Sequence, residues 1–392
     1  MKGYGWLILL LVLCGALGSG CGDDIDPGEP VDPDPPVVTP IEPDNALQLE
    51  IDALIQLARL PEHPDHVPAL EWLADIGEPA VPAVIKLLDH ENERVRVSTI
   101  HIFSQMGPPA AGAVPVLNAL LLDTSEPLRA DIAGALGQIR DPRSIPMLIQ
   151  VLDDADPTIR TYATNSLGHI GEPASAAIPA LIKVLNDPND SVRRSAASAL
   201  GRMGPAAAVA SPALVQTLGD PSSIVADVAL STLTKIGPPA KVVLLEGIAA
   251  NKDNISFFWR AIIALGHTGS DQQTVEVLLQ TLDHDAPSIR VVAARALGII
   301  KEPVDVIVPA LIGKLGDESM GVRAQSVYSL GKIGPPAKGA VPALIKVLND
   351  SDRQLRRSTA WALMEIGTPE AVAAVQAAIE AFDDPWLEEF RQ

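Results

Sequence analysis

From Asn45 onward the chain alternates short apolar stretches with polar breaks. In "SVRRSAASALGRM", Ala196 and Leu200 stand four residues apart, one turn of a helix, with charged positions between and before them. The preceding stretch, "AAIPALIKVL", places Pro179 where a first helical turn tolerates it. "NDPND" turns the chain between the two, and "GPAAA" ends the second with Gly followed by Pro. This pattern predicts a first helix over about 176–185 and a second over about 191–203.

The pair recurs. "IPALIKVLND" at 178–187 returns as "VPALIKVLND" at 341–350. The Gly of "IGPPA" serves as a marker, held at Gly77, Gly107, Arg140, Gly171, Gly204, Gly237, Gly269, Lys301, Gly334 and Gly367, at spacings of 30 to 33 residues. Four positions before it stands a large apolar residue in every unit, Phe103 once and Leu in the other nine; eight before it stands a mostly small one. A knob and a slot on one face, repeated ten times, predict stacked helix pairs that share a continuous core. An isolated pair of such short helices would be marginal.

Two charged columns run through the same units. Asp123, Asp154, Asp187, Asp220, Asp317 and Asp350 fall at the turn between helices. Arg96, Arg129, Arg160, Arg193, Arg290, Arg323 and Arg356 fall in the first turn of the second helix. A turn Asp can accept backbone N–H groups at a helix start and a charge-assisted bond from a nearby Arg. The columns are expected to form a structural ladder, since catalysis has no need of the same pair in most units.

"VPALIKVLND…LRRSTAWAL…IG" resembles the short HEAT repeat, the PBS-lyase HEAT-like subtype, over about residues 46–382. The resemblance implies an all-α fold, an α-solenoid of about ten helix pairs whose second helices line a concave face. It also implies a scaffold or binding surface without naming the ligand. Ankyrin and tetratricopeptide phrases are absent.

Composition adds a leader and a tether. Residues 1–20 read as a signal peptide, one Lys followed by an apolar run from Trp6 to Leu13. Leu17 to Cys21 resembles a bacterial lipobox, with Gly18 where Leu is usual, which makes Cys21 the expected lipidation point and the only thiol left after cleavage. Ordinary secretory cleavage giving a soluble form is the alternative. Residues 21–45 hold eight carboxylates, seven prolines and no Lys or Arg, an extended disordered spacer reaching about 70 Å. The array is placed at 46–382 and a capping tail at 383–392, with Trp386 and Phe390 folding back. The net charge of −20 argues against nucleic acid as partner.

Columns that vary among copies mark where packing does not dictate the residue. Six before the marker the C-terminal units carry Arg295, Tyr328 and Trp361; ten before it they carry Trp259 and Arg357. Aromatics with Arg are enriched at binding hot spots, so these five form the candidate partner-binding patch. The unit at 238–269 departs from the rest, with Lys252 and Phe258 in place of the Asp and Arg and with "SFFW" entering together; a hinge, a docking pocket or a repacked joint all remain open. The expected function is a non-catalytic protein-binding scaffold, a monomeric array without metal or cofactor at the bacterial cell envelope. The alternatives are an enzyme on a HEAT-like scaffold and a purely structural envelope component. Deoxyhypusine hydroxylase, of the same repeat class, carries paired His-Glu steps that bind two irons. Here His-Glu occurs once, at His90-Glu91, and the seven histidines share no repeated ligand spacing.

Overall fold

The computed structural model describes residues 43–123, 126–382 and 387–390. Cys21, the leader and nearly all of the tether lie outside the described residues, as does Trp386. Every regular element described is helical. The second helices of the ten units are α1 (His66–Ile76), α2 (Glu93–Met106), α3 (Glu126–Ile139), α4 (Pro157–Ile170), α5 (Asp190–Met203), α6 (Ser223–Ile236), α7 (Ile255–Leu265), α8 (Pro287–Ile300), α9 (Met320–Ile333) and α10 (Arg353–Ile366). A helix at Pro43–Ala58 precedes α1, starting three residues before the array begins in the sequence reading.

Two compact bodies are present, one up to Val151 and one over Leu152–Gln392. In the first, α1 packs on α2 and α2 on α3. In the second, each helix from α4 to α10 packs on the next. First helices are shorter than the sequence suggests. In the fifth unit a 3₁₀ lead-in at Glu172–Ala177 delivers the chain to an α-helix of Ile178–Val184, and Pro179 sits in its first turn. The missing proline N–H costs nothing there because that group has no intrahelical acceptor.

In nine of the ten units the second helix ends at the marker residue; α7 ends earlier, at Leu265, capped by Gly266. Gly171 has φ 76° and ψ −138°, a conformation open only to glycine, and its N–H closes on the Leu167 carbonyl. The chain then reverses into the next lead-in. Where the marker is not glycine the backbone adopts the left-handed helical region instead, as at Lys301 with φ 62° and ψ −23°.

The apolar columns are the core. All ten residues four before the marker, from Leu73 and Phe103 to Leu363, have 0% exposure. The column eight before it is buried as well. Its hydroxyls are satisfied inside their own helices, Thr99 donating to the Val95 carbonyl at 2.7 Å and Thr359 to that of Leu355 at 2.7 Å. Helix-on-helix contact is made close by small residues: a β-carbon at Gly168 would stand 2.9 Å from the Ala199 Cα.

The charged columns form a ladder whose rungs cross between units. Within one unit Asp and Arg meet through the backbone: Arg193 Nη1 donates to the carbonyls of Asp187 and Pro188 at 2.9 and 3.2 Å. The carboxylate that Arg193 engages is that of the next unit, with Nε and Nη2 donating to Asp220 Oδ2 and Oδ1 at 2.7 and 2.9 Å. Arg160–Asp187 and Arg290–Asp317 repeat the fork. Each Asp also accepts a backbone N–H two residues on, from Asn189, Ser222 and Ser319. Burial alone would raise Asp187 and Asp220, but the Arg fork and the backbone N–H hold both below the usual carboxylate range.

The other members also bond within their turns. Arg323 reaches the carbonyls of Asp317 and Glu318, and Arg356 those of Asp350 and Ser351. Arg129 Nε bonds the Leu121 carbonyl. Asp154 and Asp350 accept the N–H of Asp156 and Asp352, while Asp123 is exposed at the end of its helix. In the divergent unit Arg260 replaces the missing Arg two residues later. It is 6% exposed and bonds the Ser256 carbonyl and, at 2.8 Å, Asp227. Phe257 and Phe258 are buried, with Phe257 packed where Gly219 and Gly247 leave room. A groove of about 600 Å³ lies beside Phe257, lined by Val215, Glu246, Gly247 and Asn254 among others.

Candidate functional site: an exposed second-helix face

On α4 to α6 and α8 to α10 the residues ten, six and two before each marker lie on the side of the helix away from the Leu column; on α7 Ile263 is buried and His267 lies past the helix end. Three of the five candidate patch residues occupy neighbouring helices. Arg295 is exposed on α8, Tyr328 is 45% exposed on α9, and Trp361 is half-buried on α10. Tyr328 and Trp361 stack, with centroids 5.0 Å apart and planes 18° from parallel. Lys332 on α9 holds its ammonium 5.5 Å from the Tyr328 ring and 5.8 Å from that of Trp361, within cation–π range. Gly331 makes the stack possible, because a β-carbon there would stand 2.5 Å from Trp361 Cζ3.

The remaining two candidates are engaged elsewhere. Trp259, half-buried on α7, lies under the Arg260 guanidinium, 4.6 Å from its ring centroid. Arg357 pairs with Glu389 at 2.6 Å and so ties down the tail. The tail is also held by Gln376, which donates to the Phe390 carbonyl, and by Leu387, which is fully buried. Arg295 lies close enough to His267 that burial and this neighbouring charge together lower the imidazole pKa.

The face is more basic than the sequence columns first suggest. The row two before the marker, one turn beyond Tyr328 and its equivalents, holds Arg202, Lys235 and Lys332, all exposed. Arg194 adds another exposed cation on α5. None of these four, nor Arg295, makes an ion pair with a described residue. The acids on the same rows of these helices are Asp227, engaged by Arg260, and Glu365. Aligning this third row, not only the other two, would have found the charge in the sequence.

Chemistry at other places is sparse. His90 turns its Nδ1 toward the Asn92 N–H at 3.1 Å, a turn-closing bond. Among the described residues no three His, Cys, Asp or Glu side chains converge as metal ligands. His90-Glu91 is the one His-Glu step in the sequence. No single described helix is long and apolar enough to cross a membrane.

Comparison with known proteins agrees with the repeat. The HEAT-repeats family model matches residues 51–132, 113–178, 178–257 and 308–389. Deoxyhypusine hydroxylase of Rattus norvegicus is 33% identical over 100 residues, 25% of this chain and 33% of that protein, and the Homo sapiens enzyme is 32% identical over the same length. The chain thus spans about a third of the length of the curated relatives it matches. Among solved structures, Kap95p, captured in a study of its binding to RanGDP, aligns with a TM-score of 0.65 at 16% identity, over 90% of this chain and 57% of that one. The karyopherin Kap121p bound to the extreme C-terminus of the protein phosphatase Cdc14p gives 0.65 at 14% identity, over 89% and 46%. At such identities the likeness concerns the fold, an all-α solenoid of helix pairs. With matches over well more than half of its length, the chain belongs to the HEAT-repeat family.

Proposed function

We propose that the chain is a protein-binding scaffold that uses the exposed face of its second helices, exported and held at a bacterial cell envelope through Cys21. The observation that carries the reading is the Tyr328–Trp361 stack under Lys332: two large aromatics at the surface, placed by packing but not consumed by it. Solvent-facing aromatics beside cations are suited to anchor a partner. Karyopherins of similar fold hold protein ligands, which favours the same use here. The expected leader and lipobox-like stretch favour the envelope.

The test uses the purified full chain as bait in extracts of the source cells, beside a bait carrying Tyr328→Ala and Trp361→Ala whose fold is verified by circular dichroism. A partner held by the first and lost by the second supports the reading. A partner held equally by both moves the binding site elsewhere, and no partner for either removes the scaffold reading. Metabolic labelling with a radioactive fatty acid, lost on Cys21→Ser, tests the anchor.

A second reading, an enzyme related to deoxyhypusine hydroxylase, is favoured by the sequence similarity over 100 residues. The single His90-Glu91 step speaks against a shared metal chemistry. Iron at stoichiometric amount in purified protein would favour the enzyme.

A further inference from the structure

The chain carries 49 acidic and 29 basic residues, yet the face described above gathers unpaired cations. The contrast is sharpest at adjacent positions of α5. Arg193 is locked in the ladder with Asp220, while Arg194 and Arg202 point into solvent with no ion pair to a described residue. Exposed cations that no neighbouring side chain engages stay available to an anionic ligand.

The spacing of these charges selects the shape of the anion. Arg202, Lys235, Arg295 and Lys332 lie on α5, α6, α8 and α9. Packed helices stand about 8–10 Å apart. A polyproline II segment has three residues per turn and about 3.1 Å rise, so it repeats about every 9.3 Å. Laid across the helices, such a segment offers one side chain per helix if its carboxylates recur at every third residue; four in a row reach from α5 to α8, where they meet Arg202, Lys235 and Arg295, and the one over α7 has no cation opposite it. At its far end the Tyr328–Trp361 stack presents the flat aromatic surface that proline rings pack against.

The chain itself contains a segment of this kind. Asp23, Asp26, Glu29 and Asp32 fall at every third residue, and Pro27, Pro30 and Pro33 stand between and after them. Asp24 and Asp34 fall beside that register. The prolines favour the polyproline II conformation. We infer that the exposed face of α5 to α9 binds the acidic proline-rich segment 23–32 of a second copy of the chain. This rests on the reading of that face as a protein-binding surface and names the chemistry it accepts. A tail so docked would occupy the face until another acidic segment displaces it. A nucleic acid strand also offers repeated anions, and the oligonucleotide arm of the test tells the two apart.

The test has two parts. The first uses the full chain with Asp23, Asp26, Glu29 and Asp32 changed to Asn or Gln, which lie before the first described helix and leave the array intact. A synthetic peptide of residues 22–35 is titrated into it and followed by calorimetry. Expected are one site, weakening with added salt, and a loss of about threefold for each of Arg202→Gln and Lys235→Gln, as for exposed ion pairs. A peptide of the same composition with its acids clustered at one end is expected to bind at least fivefold more weakly. Absence of binding, equal binding of the clustered peptide, or tighter binding of a 20-nucleotide oligo-dT would each overturn the inference. The second part is sedimentation of the unaltered full chain at low salt. Concentration-dependent dimers that vanish in the Asn/Gln variant support a second copy as donor. A monomer at every concentration overturns it. Loss of the peptide site with retention of a captured partner would refute this inference while leaving the scaffold reading standing, and the reverse result would do the opposite.

Discussion

Cutting one rung of the ladder tests how the stack is held in register. Arg193 and Asp220 lie in different units, their side chains 15% and 7% exposed, joined by a two-bond fork. Arg193→Met keeps the aliphatic stem but removes the fork and both bonds to the Asp187 and Pro188 carbonyls. Asp220 is then left mostly buried, with the Ser222 N–H as its remaining described donor. Removing one partner of a buried pair costs about 3–5 kcal/mol, and the residual solvent contact here places the cost near 3 kcal/mol. Asp220→Asn removes the charge but keeps an acceptor, and is expected to cost about 1–2 kcal/mol. The double variant should then show a coupling of about 1–3 kcal/mol, since the two side chains touch. Urea unfolding of the four proteins measures it. The acid limb gives an independent check. The Asp220 pKa is lowered in the fold, so its contribution to stability is present above the unfolded value near 3.8 and is lost as pH falls through the folded value. Arg193→Met should lose most of its stability difference from the parent at low pH. A coupling below about 0.5 kcal/mol, or a difference that does not change with acid, would refute the view that the rung joins units energetically.

Four further substitutions are read from local geometry. Gly171→Ala forces a β-carbon into φ 76°, ψ −138° and should destabilise by about 1–3 kcal/mol, whereas Lys301→Gly relieves a left-handed residue and should stabilise by about 1 kcal/mol, both read from thermal or urea midpoints. His66, 2% exposed, has its pKa lowered by burial and by Arg94; neither ring nitrogen makes a hydrogen bond of good geometry, though the Ala58 and Leu57 carbonyls and Glu62 oppose the shift. The unfolded chain therefore binds the extra proton first, so stability falls as pH drops below about 6.5, and His66→Leu should flatten the melting temperature between pH 7.5 and pH 5. Gly331→Ala should displace Trp361 and strain the α9–α10 contact, costing about 1–3 kcal/mol and changing the near-ultraviolet circular dichroism of the aromatic stack.

The Leu column was legible in the sequence because each copy solves the same packing problem with the same residue. The ten fully buried positions follow from that alone. The ladder was legible as two columns but not as a pairing. Asp187 and Arg193 are six apart in one unit, and spacing along a chain suggests they bind each other. The stack instead brings Arg193 to the Asp one repeat ahead, because the fork extends across the helix interface while the turn carbonyls absorb Nη1. A translation between units has no signature in the spacing within one. The tail shows a similar limit: Arg357 stands in a variable column, yet its partner, Glu389, lies in a terminal segment that no other unit can foreshadow.

The exposed face was harder to see for the opposite reason. Its residues differ from copy to copy, so the repeat supplies no consensus to read. Most of its charges are positive, with Arg202 on α5, Lys235 on α6, Arg295 on α8 and Lys332 on α9, while Asp227 and Glu365 carry the opposite sign. Tyr328 and Trp361 share a column, and this shows that they face the same way; their contact depends on Gly331, which no column of large residues reveals. Identity of residue thus marks what holds the units together, and the exposed rows, free of that demand, vary. Arg193 and Arg194 make the distinction within one turn of helix. The first is neutralised by a neighbour that every regular unit can provide, so it can be kept without a ligand. The second has no such neighbour among the described residues, and its charge favours binding only when something acidic arrives from outside the stack.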